Sequence, residues 1–276
     1  MAALLLTLGR GALTGVGKKP APGARLPDVR LSLPDVRIDA GRVGAYGEVC
    51  GFGAGGPWAA GRALPLTYPH ILGFPLAARI MARRDFPLPL MGLVHTSIRI
   101  TSRRALTVAD RPELVVHAEE LRPHRRGTEV VVVTETRLGG EVVWTDRSTY
   151  MARHGGGSAT GARGAGEPHG GGEPPAAVGE WRLPESLGRR HARVSGDYNP
   201  IHLHALTARP FGYARAIAHG MWTVARCVAE FPSAEGVLAE FRAAIPLPGE
   251  VTFAVAGSRF QVRSSFGVHV AGTSCP

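Results

Sequence analysis

Apolar residues recur at helical spacing in two places along the chain. In "IAHGMWTVARCVAEFP", Ile217 to Pro232, a single stripe is formed by Met221, Val224, Ala225, Val228 and Phe231. This predicts a helix buried along one face. In "YPHILGFPLAARIMARRDFP", Tyr68 to Pro87, the stretch Ile71 to Met81 is apolar nearly all round, as in a helix enclosed on most sides. β-rich segments follow each helix. After the earlier one come "GLVHTSIRI", "ELVVHAEEL", "TEVVVVTETRL" and "EVVWTDRSTYMAR", the last two joined across Gly139-Gly140, a hairpin signal. After the later one come "GVLAEFRAAIPLPGEVTFAVAG" and "SRFQVRSSFGVHVAGT". Helical segments followed by antiparallel strands, twice over, predict an α+β fold. In each half, one long central helix wrapped by one curved antiparallel sheet satisfies the pattern.

The halves are separated by residues 154–180, rich in Gly, Pro and Ala and without apolar period, which read as a flexible linker. They also resemble each other. A slide of 145 residues puts Val49 on Val194, Cys50 on Ser195 and Gly51 on Gly196. After a small insertion His70 meets His219, and both helical stretches end in Phe-Pro. The expected organisation is a lead-in over 1–27, a first half over 28–153, the linker, and a second half over 181–276. The second half is short and stops at "GTSCP", so a missing final strand or a frayed sheet edge is expected there.

The chain has 276 residues and a formal net charge of +10. That charge raises nucleic acid as a partner, but the arginines are scattered, with no zinc-finger spacing and no RNA-binding aromatic signature. A phosphate-bearing small molecule is the better match. No run of about 18 apolar residues is present, so no membrane span is expected. The three cysteines, Cys50, Cys227 and Cys275, are far apart and lack a CxxC. This argues against a disulfide framework or zinc site and for a reducing cytoplasm. Residues 1–27 are basic, with no acid before Asp28, as in organellar transit peptides. Their apolar run is short and broken by Gly9 and Arg10, and a cytoplasmic lead-in is the expectation.

Candidate chemistry gathers in "VSGDYNPIHLHALTA", Val194 to Ala208. Gly196 permits an unusual backbone angle beside Asp197, and Asn199 and Pro200 punctuate a turn. Asp197 and His202, a carboxylate and an imidazole presented by one turn, form a general acid/base pair around one water. On spacing alone an ordinary surface turn is the better reading, since a turn with Asp, Asn and Pro needs no function.

The wider string decides more. "SGDYNPIH", with Ala208 six residues after His202 and "IAHGM" at Ile217 to Met221, resembles the MaoC-like family: R-specific enoyl-thioester hydratases and dehydratases of hot-dog fold. The duplicated units resemble its double hot-dog members. The resemblance implies that Asp197 and His202 are the catalytic dyad, activating the water that adds to the β-carbon of a 2-enoyl thioester, or removing it in reverse. It implies that the Gly220 backbone N–H holds the thioester oxygen as negative charge develops, which suits the start of a helix. Ser195, Gly196 and Asn199 are expected to brace the turn, and His219 to be structural. Phe52 and Pro57 stand where Asp197 and His202 do, so the first half lacks the dyad and would complete the sheet and shape the acyl tunnel. His204 stands where many relatives carry Asp, and Val228 near where some carry serine, which bears on substrate preference. Arg209 and Arg215 are candidates for binding carrier phosphates at the tunnel mouth.

The expected partner is an acyl-CoA or acyl-carrier-protein thioester. Coenzyme A or phosphopantetheine enters only as part of the substrate, with no separate cofactor and no metal, no nucleic acid and no membrane. A homodimer is an open assembly. Two other readings stand beside the lyase: a non-catalytic acyl-thioester binding or assembly subunit, motivated by the degenerate first half, and a hot-dog thioesterase. Acyl length, carrier and physiological direction are not fixed by the sequence.

Overall fold

The computed structural model describes residues 18, 24–53, 56–90, 93–153 and 175–276. Most of the lead-in, and the linker through residue 174, lie outside the described residues. In chain order the elements are β1 (Arg30–Leu33), α1 (Ala40–Cys50), α2 (Tyr68–Met81), β2 (Val94–Ser102), β3 (Glu113–His124), β4 (Gly127–Leu138) and β5 (Glu141–Arg153). The second half adds β6 (Ala176–Leu183), α3 (Leu187–Ser195), α4 (Ala205–Ala208), α5 (Gly220–Val228), β7 (Gly236–Phe241), β8 (Gly249–Ala256), β9 (Arg259–Ser264) and β10 (Gly267–Cys275).

Among the described residues the strands make one sheet, in the order β1-β3-β4-β5-β2-β7-β10-β9-β8-β6, with every pairing antiparallel. The order is the same read from either end once the halves are exchanged: β1 answers β6, β3 answers β8, and β2 answers β7. The halves meet at β2 and β7, where Ser97 faces Glu240 and Thr101 faces Gly236. Five strands per half correct the expectation of a missing final strand in the second half. Its last strand is internal, with Cys275 opposite Gly236. The linker boundary is also corrected. Residues 176–180 are strand, paired from Ala176 opposite Val255, so the second half starts at Ala176.

Local chemistry explains the elements. Asp39 caps α1 by accepting from the Arg42 N–H at 2.8 Å. Gly51 (φ 85°) and Gly196 (φ 80°), equated by the 145-residue slide, end α1 and α3 in the left-handed conformation. Gly139 and Gly140 both have positive φ, the mirror-image turn that matches strand twist in a tight hairpin. The two central helices are unequal. α2 has 14 residues and packs on β3 and β4, whereas α5 has nine and packs on β7 and β10. The long helix expected in both halves is therefore long only in the first. Met221, Val224, Ala225 and Val228 are all buried, as the stripe predicts. No helix among the described residues is long and apolar enough to cross a membrane.

Candidate active site

The turn after α3 is braced by its own side chains. The Asp197 N–H donates to Ser195 Oγ at 3.1 Å, and the Asn199 N–H donates to Asp197 Oδ1 at 3.1 Å. Asn199 caps a short 3-10 turn, Pro200–His202, by accepting from the Ile201 N–H. These local bonds compete with helix continuation and hold the chain in one conformation. Gly188 matters as well: a Cβ there would lie 1.9 Å from the His202 carbonyl oxygen. Only glycine lets α3 press directly on the backbone that carries the imidazole.

His202 is fixed from the other side by the chain leading into α5. Its Nδ1 lies 2.8 Å from the Ile217 carbonyl oxygen, and the Ile217 N–H donates back to the Ile201 carbonyl at 3.0 Å. A carbonyl only accepts, so Nδ1 carries the hydrogen and Nε2 keeps a lone pair. His219 Nε2 donates to the Asp197 backbone oxygen at 2.9 Å and lies 3.8 Å from its Oδ2. The His219 ring stacks on His202 at 3.7 Å between centroids, with His191 4.5 Å beyond. Burial pushes the His202 imidazole down to about 3; His219 adds to the effect and Asp197 opposes it. Burial also lowers His219, and lowers His191 well below the ordinary range. Burial thus biases all three imidazoles toward the neutral form, in which His202 Nε2 keeps a lone pair.

Gly220 opens α5. The carbonyl four residues back, that of Ala216, accepts from the Leu247 N–H instead. As the first residue of the helix, Gly220 has no acceptor within it for its N–H, as at any helix start. A Cβ at Gly220 would lie 2.7 Å from Phe241 Cε1, so the ring closes over the backbone only because no side chain intervenes. Asp197, His202 and Gly220 all line one cavity of about 430 Å³ that reaches across to α2, β2 and β5 of the first half. This arrangement sets a carboxylate and an imidazole lone pair, groups that can hold a water, in one cavity with a backbone N–H at a helix start, a group that can meet an oxyanion.

Over 260 residues the chain is 35% identical to 3-hydroxyacyl-thioester dehydratase X of Mycobacterium tuberculosis, covering 91% of this chain and 87% of that protein. Residues 171–241 match the family model described as MaoC like domain. The chain belongs to the MaoC-like dehydratases.

The crystal structure of HtdX from Mycobacterium tuberculosis is similar to this MaoC-like dehydratase, with a TM-score of 0.75 at 30% identity over 89% of this chain and 98% of that one. A MaoC-like dehydratase from Phytophthora capsici shares the fold alone, with a TM-score of 0.65 at 14% identity over 92% of this chain and 97% of that one. The hot-dog architecture expected from the sequence is the architecture of these relatives.

In the first half of this MaoC-like dehydratase the equivalent of the dyad is apolar. Phe52 packs against the core and Pro57 is exposed. His204 caps α4, accepting from the Leu206 N–H at 3.2 Å, and Val228 is buried core rather than cavity wall. Arg209 and Arg215 are not brought to the cavity. Arg209 is exposed in a short turn, and Arg215 donates to the Pro248 carbonyl at 3.1 Å, beside a different pocket. The arginines that line the cavity are Arg125, Arg126, Arg153 and Arg242. Three of them come from the first half, so proximity in sequence to the dyad pointed the wrong way. The signal for Arg125 and Arg126 was "HRRG" at the β3–β4 turn; Arg153 ends β5.

Asp197, His202 and His219 offer ligand atoms within 4.8 Å of one another, the spacing of a metal site. The chemistry of the set fits poorly. His219 Nε2 is engaged as a donor to a backbone carbonyl. The two rings lie only 25° from parallel, so their in-plane lone pairs do not converge on one ion.

Proposed function

We propose that this protein is a hydro-lyase that reversibly hydrates trans-2-enoyl thioesters to R-3-hydroxyacyl thioesters. The observation that carries it is the pairing of Asp197 with a His202 whose tautomer leaves Nε2 free, in one cavity with the Gly220 N–H at a helix start. A water held by Asp197 and His202 gives a proton to Nε2 as its oxygen bonds the β-carbon. The π electrons move toward the thioester oxygen, where the Gly220 N–H meets the developing charge. The protonated dyad then returns a proton to the α-carbon, so that one water has added across the double bond. Dehydration runs the same steps backward.

The substrate brings its own coenzyme A or phosphopantetheine arm, and the dyad needs no further cofactor or metal for these proton transfers. Arg125, Arg126 and Arg153 at the cavity suit the phosphates of that arm, in place of Arg209 and Arg215. The halves pair through β2 and β7 within one chain, which supplies the joined sheet without a second copy. A cytoplasmic setting accords with three free cysteines.

Product analysis tests the reaction class. Incubation with a 2-enoyl-CoA is expected to yield a product heavier by one water, of R configuration, with no free thiol. Thiol release would instead identify a thioesterase, and binding without conversion a non-catalytic subunit.

A further inference from the structure

Several arginines on the strands around the cavity are matched by acids. Arg122 pairs with Glu120, Arg137 with Glu135, Arg147 with Glu119 and Arg242 with Glu240. Arg125, Arg126 and Arg153 differ: among the described residues none of them is in an ion pair. All three line the cavity that holds the dyad. Arg125 is exposed, whereas Arg126 and Arg153 are half-buried. Besides Asp197, the acids in that cavity wall are Glu129 and Glu240. They are engaged elsewhere, Glu129 by Thr96 Oγ1 at 3.2 Å and Glu240 by Arg242 at 3.1 Å.

The fold builds this cluster. Arg125 and Arg126 make the β3–β4 turn, in which His124 faces Gly127, and the Arg126 N–H donates to His124 Nδ1 at 3.2 Å. Gly127 also faces Arg153 at the end of β5. A Cβ at Gly127 would lie 2.0 Å from the Ala152 carbonyl oxygen. Only glycine therefore lets the turn close on β5 and bring its two arginines beside the third. Like charges gathered on one wall repel, and a polyanion placed among them turns that repulsion into attraction.

The thioester carriers differ in the anions they bring. Coenzyme A has a pyrophosphate and, on its ribose, a phosphomonoester. The arm of a carrier protein has a single phosphodiester and no nucleotide. Guanidinium groups match phosphate oxygens with paired donors, and a cluster of three suits the richer set. Placement points the same way. The acidic face of a folded protein meets exposed cations, but Arg126 and Arg153 sit in a cavity wall, where a slender ligand reaches them.

We propose that Arg125, Arg126 and Arg153 form a subsite for the nucleotide phosphates of coenzyme A, the ribose phosphate included, so that the substrate is carried on the free coenzyme rather than on a carrier protein. The inference rests on the acyl-thioester reading above and names the carrier within it. One ligand then spans both halves, its nucleotide on the first and its acyl group at the dyad of the second.

The test is equilibrium binding of three compounds without an acyl group: coenzyme A, dephospho-coenzyme A, which lacks only the ribose phosphate, and phosphopantetheine. The wild-type protein is expected to bind coenzyme A about tenfold more tightly than dephospho-coenzyme A, and phosphopantetheine more weakly still. Arg125→Gln with Arg126→Gln, and separately Arg153→Gln, are expected to bring the first ratio close to one. Arg215→Gln, beside the other pocket, should leave it as it is. Equal binding of coenzyme A and dephospho-coenzyme A by the wild type overturns the subsite. A ratio that survives the arginine substitutions overturns its assignment. A higher kcat/KM for a 2-enoyl group on an acyl-carrier protein than for the same group on coenzyme A overturns the choice of carrier. The expected ratio in a protein that hydrates no enoyl thioester would leave the subsite standing and sink the lyase reading alone. If none of the three compounds binds, the subsite falls.

Discussion

In the proposed reaction Asp197 and His202 divide the labour at the water: one orients it, and the other accepts its proton. Asp197→Asn and His202→Gln are each expected to lower kcat/KM by at least about a thousandfold, with the melting temperature close to that of the wild type. Gly220 is constrained twice, by its N–H and by Phe241 at 2.7 Å from any added Cβ. Gly220→Ala should lower kcat by about a hundredfold as the ring and the start of α5 move apart. Phe241→Leu in the same chain should recover part of the loss, and steady-state kinetics of the single and double variants check both. Of these positions, the meeting of Asp197, His202 and Gly220 in one cavity was legible in the sequence because their motif is dense and local. Gly188 was not, since its role is a contact across the turn that no spacing encodes.

The elements around the dyad bring three imidazoles together: His202 from the 3-10 turn stacks on His219, the residue capping α5, and His191 from α3 lies tilted against His219. All three are lowered by burial, His202 from its ordinary 6.5 to about 3. An imidazole lowered on folding takes up a proton on unfolding at any pH between the two values. Its contribution to stability is therefore complete above about pH 6.5 and is lost as pH falls toward the folded value. Each such group sets a slope of roughly 1.4 kcal/mol per pH unit in that window. The melting temperature should fall between pH 7 and pH 5, and His191→Leu should make the fall shallower. A melting temperature that holds or rises on acidification would contradict the neutral histidine cluster. For the same reason kcat/KM should show no acid limb near pH 6.5. The three histidines were visible in the sequence, but their contact was not, because it depends on α3 and α5 meeting in space.

Across the whole molecule, one half supplies the dyad and the other supplies the opposite wall. The duplication was readable from the 145-residue slide and from repeated helix-then-strand patterning, since hydrophobic period survives where catalytic residues do not. The extent of the second half was misread. Ala176 to Glu180 pair as strand despite a Gly- and Ala-rich composition, because their register is dictated by β8 rather than by propensity. The basic side of the cavity was misplaced for a related reason: Arg125, Arg126 and Arg153 are far in sequence from Asp197 and reach its cavity only through the sheet order. Arg125→Glu with Arg126→Glu is expected to raise KM for an acyl-CoA several-fold while leaving kcat nearly unchanged. The effect should shrink at high salt, as steady-state kinetics at two ionic strengths would show.

The central claim is that the turn carrying Asp197 and His202 adds water to a conjugated thioester. The most direct measurement is the absorbance of the enoyl-thioester band after mixing the protein with crotonyl-CoA and, separately, with a longer 2-enoyl-CoA, with the Asp197→Asn variant alongside. The account predicts loss of the band with the wild-type protein and its persistence with the variant. Equal loss with both proteins, or persistence of the band with both on every thioester offered, would contradict it.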